Sequence, residues 1–122
     1  SSMPALVFGD RTELEELTAN LIENSILYTQ SGGFVKVSVE KNEEAVLLCV
    51  EDNGPGIPAA ERSRVFERFY RISGTEAPGT GLGLAIVKEI ASSHRAGINL
   101  QSGAHGEGLR VEISFPSKIS EL

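Results

Sequence analysis

Hydrophobic residues recur along the chain at spacings that predict helices. Between residues 11 and 29, leucines and a tyrosine are separated by three, four and seven residues, which is the pattern of an amphipathic helix. A similar pattern predicts a second long helix over 82–93, which ends before Gly97. A shorter helix is expected over 59–64.

Other segments have the patterns of strands. Apolar and polar residues alternate over 35–40, 98–100 and 109–115, which predicts strands with one buried face. The unbroken apolar run over 46–50 predicts a central strand buried on both faces, and a short apolar run over 5–8 is compatible with an edge strand. Together these elements predict a two-layer α/β sandwich, with a mixed five-stranded sheet and about three helices on one face.

Length and charge narrow the class of protein. With 122 residues, the chain is expected to form a single domain over 1–122. Eleven basic and seventeen acidic residues give a net charge of −6, which argues against a nucleic-acid partner because nucleic-acid-binding proteins carry a basic surplus. No apolar run is long enough to span a bilayer, so direct membrane contact is not expected, and no signal peptide is visible. The one cysteine, Cys49, is expected to be buried in a strand and favours a cytosolic protein without a cysteine-based metal site.

Two carboxamides lie on one stripe of the first predicted helix. At about 100° per residue, Asn20, Glu23 and Asn24 share a face with Leu27 and Tyr28. Asparagine is a poor helix former, and its neutral oxygen suits a hard cation such as Mg²⁺ that keeps several of its waters. The alternative is a solvated helix face, and this segment alone does not decide between the two.

A single aspartate follows the most buried predicted strand. Asp52 is followed by Gly54 and Gly56, which allow positive φ or a close approach of the backbone. A carboxylate at the end of a buried strand needs hydrogen-bond donors, and the amino group of adenine is such a donor. The alternative is an aspartate that only caps its own turn.

A glycine-rich segment, Gly79-Thr80-Gly81-Leu82-Gly83, begins the second long helix. Free backbone N–H groups and the positive end of the helix make such a segment an anion site. It lacks the Gly-Lys-Ser/Thr of a Walker A loop, and its third glycine comes one residue too early for the dinucleotide fingerprint.

In this order the three motifs resemble the N box, G1 box and G2 box of the GHKL ATP-binding superfamily. The intervening sequence Phe66-Glu67-Arg68-Phe69-Tyr70-Arg71 is similar to the F box of sensor histidine kinases. The resemblance covers residues 6–116 and identifies the chain as the catalytic and ATP-binding domain of a two-component sensor histidine kinase. It implies the Bergerat α/β sandwich and a mobile ATP lid within residues 57–79. As apolar residues, Phe66 and Phe69 are expected to anchor the base of the lid to the core, with docking of the phosphorylatable helix as the alternative.

The resemblance also implies a role for each matched residue. Asn24 would coordinate Mg²⁺, Asn20 would lie near the phosphates and Tyr28 would pack on the adenine, whose amino group Asp52 would bind. Gly54 and Gly56 would shape the floor of the pocket, while Gly79, Gly81 and Gly83 would hinge the lid and hold phosphate oxygens. The three motifs would then surround one cavity for a purine triphosphate. The ATP-binding residues would be Asn20, Asn24, Tyr28, Asp52, Gly54, Gly56, Arg68, Gly79, Thr80, Gly81, Leu82 and Gly83.

Two residues would take part in phosphoryl transfer. Arg71 would reach the γ-phosphate, with Arg68 as the alternative, and Glu23 would polarise the nucleophile unless it is only a solvated surface residue. Related ATPases have a glutamate four residues before the metal-binding asparagine, where it activates water. The corresponding residue here is Asn20, whose carboxamide cannot take a proton from water, so transfer to another nucleophile is favoured over hydrolysis.

That nucleophile would be a histidine on a separate dimerisation domain of the same full-length kinase, because neither His94 nor His105 has its sequence context. A response regulator would be an indirect partner, and the chain would be the cytosolic part of a membrane-anchored bacterial sensor. Leu27 and Leu109 replace a basic and a small hydroxyl residue of the family. They favour the main alternative, an ATP-binding regulatory or interaction module with little or no catalysis; a GHKL ATP hydrolase is the third hypothesis.

Overall fold

The computed structural model describes residue 7 and residues 9–29, 32–70, 83–103 and 108–116. The two long helices and the four alternating or apolar strands predicted within these residues are present, with ends within two residues of the prediction. No helix among the described residues is long and apolar enough to cross a membrane. In chain order the elements are α1 (Arg11–Tyr28), β1 (Val35–Lys41), β2 (Ala45–Asp52), a 3-10 helix (Ala59–Glu61), α2 (Gly83–Ser93), β3 (Gly97–Ser102) and β4 (Leu109–Pro116).

The four strands form one sheet in the order β1-β2-β4-β3. Val50 of β2 is paired with Val37 of β1 on one side and with Val111 of β4 on the other. The unbroken apolar sequence of β2 therefore belongs to an inner strand, as predicted. Strands adjacent in sequence pair with one another, β1 with β2 and β3 with β4, and both pairs are antiparallel.

Both α-helices pack on the same face of this sheet. The core joins Leu17 and Leu21 of α1 and Val87 of α2 to Val50 and Ile113 of the inner strands, and each of these side chains is at most 1% exposed. Alternate residues of the strands face this layer, which explains the period-two pattern of the sequence. The two-layer α/β arrangement with helices on one face is confirmed.

The prediction of a mixed five-stranded sheet is wrong for the residues that the structure describes. Those residues contain four strands, and every pairing between them is antiparallel. The apolar run over 5–8 lies outside the described residues except for Val7, which is in no strand but packs against the core.

The prediction of a third helix over 59–64 is also wrong in the described part of the chain. Only the three-residue 3-10 helix forms, and successive turns follow it, in which the Arg64 N–H donates to the Glu61 carbonyl (3.0 Å) and the Glu67 N–H to the Arg64 carbonyl (2.9 Å). The segment is too short to offset the cost of starting an α-helix, and the 3-10 helix contains no buried residue.

Hydrogen bonds of His94 connect the N-terminus of α1 to the C-terminus of α2. The Asp10 carboxylate caps α1 by accepting from the Glu13 N–H (3.0 Å). The Asp10 N–H in turn donates to His94 Nε2 (3.0 Å), while His94 Nδ1 lies 2.8 Å from the Ile90 carbonyl. These partners assign the proton of the neutral ring to Nδ1. The two helices therefore run antiparallel, joined at this end.

The outer face of the sheet carries a cluster of charged residues around Arg110. Its guanidinium donates to Glu112 (2.7 Å), to Glu51 (3.1 Å) and to the Cys49 sulfur (3.1 Å). The bond from Arg110 lowers the pKa of Glu112, whereas burial raises the pKa of the Cys49 thiol. Cys49 is 1% exposed, which confirms that it is a buried strand residue.

Candidate functional site

The end of α1 and the end of β2 lie at the same end of the domain. Residues 29–34 separate α1 from β1, and the first residue of β1, Val35, is paired with Asp52, the last residue of β2. The Phe34 N–H donates to the Asn53 side-chain oxygen (2.8 Å), which holds the connection against the sheet. The stripe of asparagines in the second half of α1 is therefore close to the edge where Asp52 lies.

Asp52 is a buried carboxylate held by two backbone donors. It is 3% exposed, and its side chain faces the helix layer because it continues the alternation of Leu48 and Val50. Its Oδ1 accepts from the Gly54 N–H (2.9 Å) and from the Leu109 N–H (3.3 Å). Asp52 therefore does cap its own turn, through the bond from Gly54. Both bonds use Oδ1, so Oδ2 is the oxygen that can accept from a ligand.

Two glycines allow the loops around Asp52 to approach one another. Gly56 has a φ of +74°, and a Cβ there would lie 2.7 Å from the Gly108 carbonyl. Gly108 has a φ of +76°, and a Cβ there would overlap the Asp52 carbonyl. The positive φ expected near Gly56 is present, and it serves close backbone packing beneath Asp52.

Asn20 of α1 faces the first turn of α2. Its side-chain nitrogen donates to the Glu16 carbonyl (2.9 Å), and its side-chain oxygen lies 3.4 Å from where a Cβ on Gly83 would be. Asn24, one turn further along α1, is half-buried, and Glu23 is exposed. Because α2 starts at Gly83, the structure places the carboxamide of Asn20 beside the positive end of that helix.

Since the opposite ends of α1 and α2 are joined through His94, the N-terminus of α2 is also at the Asp52 end of the layer. The described members of the three predicted motifs therefore lie at one end of one domain. Several predicted site residues fall outside the described residues: the side chain of Tyr28, and Arg71, Gly79, Thr80, Gly81 and Leu82.

Arg68 is not placed at the N-terminus of α2. It forms an ion pair with Glu89, and both side chains are more than half exposed. Glu89 lies six residues after Gly83, or about 9 Å further along the helix axis. In this structure Arg68 therefore pairs with the flank of α2, away from the helix end at which phosphates are expected.

The F-box aromatic residues have different surroundings. Phe66 packs against the core and lies 5.8 Å from the Lys88 ammonium. Tyr70 also contacts the core, and its hydroxyl donates to Glu61 (2.6 Å), a bond that raises the pKa of Tyr70. Phe69 is 69% exposed with a φ of +65°. Packing against the core is thus confirmed for Phe66 and wrong for Phe69, whose ring is largely exposed. Docking of the phosphorylatable helix by Phe69 stays a prediction.

Sequence reasoning did not single out two residues near this end of the layer. The sequence around Gly108 is rich in glycine and precedes an alternating strand, which was the available signal. It could not indicate the contact with Asp52, because the two residues are far apart in sequence. Ser25 is 3% exposed on the core stripe of α1. Its position four residues after Leu21 was the available signal.

Comparison with known proteins identifies the family to which the chain belongs. Residues 9–119 match the family described as histidine kinase-, DNA gyrase B-, and HSP90-like ATPase. The chain is 40% identical over 111 residues to the sensor protein kinase PmrB of Pseudomonas aeruginosa and 38% identical over 113 residues to the histidine-protein kinase BaeS of Escherichia coli. Each alignment covers 90% of this chain but 23% or 24% of the relative. The chain therefore spans about a quarter of the length of the curated relatives it matches.

Solved structures agree with this match. A structure of the mycobacterial sensor histidine kinase MprB aligns with a TM-score of 0.83 at 35% identity, covering 90% of this chain and 76% of that chain. Full-length ShkA in complex with AMPPNP aligns with a TM-score of 0.78 at 25% identity, covering 98% of this chain and 25% of that chain. The chain belongs to the histidine kinase-, DNA gyrase B- and HSP90-like ATPase family and is homologous to the sensor histidine kinases.

Proposed function

We propose that the chain binds Mg-ATP at the Asp52 end of the helix–sheet layer and donates the γ-phosphate to a histidine on a separate dimerisation domain. The observation that carries the proposal is the geometry of Asp52. Its carboxylate is buried and fixed through Oδ1 by two backbone N–H groups, at the end of the domain that also holds Asn20 and the start of α2. A fixed acceptor beside an anion-binding helix end suits a ligand with an amino-substituted base and phosphates.

The side chains of α1 suit the phosphate part of this ligand. Asn24 would supply a neutral oxygen to Mg²⁺, which is usually held by few protein ligands together with waters and phosphate oxygens. Among the described residues no three histidine, cysteine, aspartate or glutamate side chains are grouped as a metal site, so the ion would be held mainly by the nucleotide. Bound there, it would neutralise charge that develops on the phosphates.

Phosphotransfer is favoured over hydrolysis by Asn20. In the transfer step, the bond from the histidine nitrogen to the γ-phosphorus forms as the bond to the bridging oxygen breaks, and ADP leaves. Water attack would need a group that accepts a proton. Asn20 cannot do so, and its nitrogen already donates to the Glu16 carbonyl. Glu23 is exposed on the same helix, where it would polarise an incoming imidazole, while Arg71 would contact the γ-phosphate.

The partner would be the dimerisation domain of the same full-length kinase, and a response regulator would receive the phosphate afterwards. The names of the relatives support this assignment, because PmrB is a sensor protein kinase and BaeS a signal transduction histidine-protein kinase. We place the chain in the cytosolic part of a membrane-anchored bacterial sensor. As in that family, ATP and Mg²⁺ would be the cofactors.

A second candidate function is an ATP-binding regulatory or interaction module with little or no catalysis. Two leucines favour it: Leu27 is 45% exposed on the asparagine stripe and offers no charge to a phosphate, and Leu109 is 4% exposed and offers no hydroxyl to the base. An ATP hydrolase is the least favoured function because of Asn20.

One experiment separates the three functions. The chain would be mixed with the dimerisation domain of its full-length kinase and with ATP labelled at the γ-phosphate. Acid-labile, base-stable label on the partner supports phosphotransfer, ATP binding without label supports the regulatory module, and free phosphate alone supports the hydrolase. An Asn24→Ala variant is the control, because it should lose the Mg²⁺-dependent label while the fold stays intact.

A further inference from the structure

Two buried polar side chains face the layer between α1 and the sheet. Ser25 and Asp52 are each 3% exposed. The other buried charged or polar residue among the described ones is Glu51, which alternates to the outer face of the sheet and bonds Arg110. Polar side chains are seldom buried without a reason, so the position of Ser25 needs an explanation, as that of Asp52 did.

Ser25 occupies a position where an apolar residue would normally be found. It follows Leu17 and Leu21 at intervals of four, and all three side chains are almost completely buried. Ser25 lies three residues before the end of α1, and that end of the helix is connected to the strand that pairs with Asp52. The two buried polar side chains of the layer are therefore at the same end.

The hydroxyl of Ser25 is not used by the helix itself. Hydroxyls in helices commonly bond to the carbonyl one turn earlier, and those of Thr18 (2.9 Å to the Leu14 carbonyl) and Thr29 (2.6 Å to the Ser25 carbonyl) do so. Within the part of the chain that the structure describes, no hydrogen bond involves the Ser25 hydroxyl. No fully buried side-chain oxygen or nitrogen there lacks a partner, which agrees with a hydroxyl that is accessible to a ligand at its end of the layer.

We propose that Ser25 is a second base-recognition residue, whose hydroxyl donates to the ring nitrogen of adenine next to the amino group that Asp52 binds. This rests on the proposed function. The edge of adenine presents a donor, the amino group, beside an acceptor, N1. Asp52 is an ionised acceptor and has nothing to donate. The side chain of Leu109, which is buried next to Asp52, supplies no donor either, and a buried N1 without a donor would weaken binding.

Selectivity between bases would come from Asp52. A base with a carbonyl and a protonated N1, such as hypoxanthine or guanine, presents an acceptor where adenine has its donor. The Asp52 carboxylate would then face a carbonyl oxygen. Both groups are acceptors, so no hydrogen bond can form between them. The Ser25 hydroxyl can donate to N1 or accept from N1–H, so it would add affinity for the base, while Asp52 would discriminate between an amino group and a carbonyl.

The test uses a nucleotide that lacks the acceptor. The chain would be titrated calorimetrically with Mg-ATP and with Mg-1-deaza-ATP, in which a C–H replaces N1. Wild-type protein should bind the analogue about three- to ten-fold more weakly, and Ser25→Ala should bind ATP more weakly by a similar factor. Ser25→Ala should show no further loss with the analogue, because the same bond is already absent. Thr18→Ala, whose hydroxyl bonds within α1, should behave as the wild type.

Thermal unfolding tests whether the Ser25 hydroxyl has a structural role instead of a role in binding. Ser25→Ala should keep or raise Tm, because alanine is the better helix former; a lower Tm would make the hydroxyl structural and overturn the proposal. Equal ATP affinity in Ser25→Ala, or losses from the variant and the analogue that simply add, would also overturn it. Wild-type protein that does not bind Mg-ATP would refute the proposed function itself, whereas normal binding with an unaffected variant refutes only the role of Ser25.

Discussion

Gly108 lies against the backbone carbonyl of Asp52, so closely that a side chain at position 108 would overlap it. The contact brings the turn before β4 to the end of β2, where the Leu109 N–H reaches the Asp52 carboxylate at 3.3 Å. The orientation of the carboxylate thus depends on a glycine 56 positions away in the chain. Both the fold and the candidate site should respond to a change at Gly108.

Gly108→Ala is expected to lower the free energy of unfolding by about 1–3 kcal/mol, because alanine at a φ of +76° is strained and its Cβ would displace the Asp52 carbonyl. Denaturant unfolding measures the loss, and a titration with Mg-ATP should show weaker binding as well. Gly97→Ala is the matched control, since nothing lies within 4 Å of a Cβ there. Equal stabilities of the two variants would contradict this account.

Asp52→Asn should weaken Mg-ATP binding about ten- to a hundred-fold, the loss of one charge-assisted hydrogen bond of about 1.5–3 kcal/mol. The asparagine oxygen can still accept from the Gly54 and Leu109 N–H groups, so the fold should persist. Its amide nitrogen would then face the adenine amino group, donor against donor. Calorimetric titration measures the effect, and an unchanged affinity in a folded variant would exclude Asp52 from base binding.

Glu89→Gln should strengthen Mg-ATP binding by up to about five-fold at low salt. If Arg68 is to contact phosphate, it must first leave Glu89, and an exposed pair of this kind contributes about 0–1 kcal/mol. The gain should disappear at high salt, where the pair is screened. The double variant Arg68→Gln/Glu89→Gln should show no gain. An equal gain in Glu89→Gln and in the double variant would show that Arg68 is not responsible, and would remove it from the ATP-binding residues.

The free energy of unfolding should fall as the pH is lowered through the acid range, in part because of Glu112. Its pKa is lower in the folded chain than its ordinary value because Arg110 bonds the carboxylate. A lowered pKa stabilises the fold above the pKa of the unfolded chain, and this contribution is lost as Glu112 takes up a proton. Urea unfolding from about pH 7 to pH 3 measures the slope.

Glu112→Gln should make this acid dependence shallower. Glu16→Gln, which removes one exposed negative charge from α1, is the control and should leave the slope nearly unchanged. Identical slopes for the wild type and Glu112→Gln would show that the bond from Arg110 does not contribute to acid stability.

The sequence predicted best those features that local patterns determine. The four-residue spacing of Leu17 and Leu21 fixed the buried face of α1, and the apolar run through Val50 fixed an inner strand, because burial follows from periodicity and composition. Asp52 was found because a carboxylate after such a strand is unusual. The roles assigned to the matched site residues remain predictions, since no structural observation tests nucleotide binding.

The remaining features depend on contacts between residues distant in sequence. Nothing local to Arg68 indicates that Glu89 is its partner, and nothing local to Gly108 indicates that it lies on Asp52. Helix propensity over 59–64 was misleading because no packing face supports an α-helix there. Phe69 was expected to anchor to the core because it is apolar, but its ring is exposed and its backbone is left-handed, which nothing in the adjacent sequence indicates.

His94 joins α1 and α2 at the end opposite to Asn20 and Gly83. Asn20 lies ten residues beyond Asp10, about 15 Å along α1 from the bond to His94. A change of 5° in the angle between the helices, pivoting at His94, would move Asn20 relative to Gly83 by about 1 Å. Because the bond to His94 joins the helices at the far end, such a tilt would alter the spacing of the groups expected to hold the phosphates.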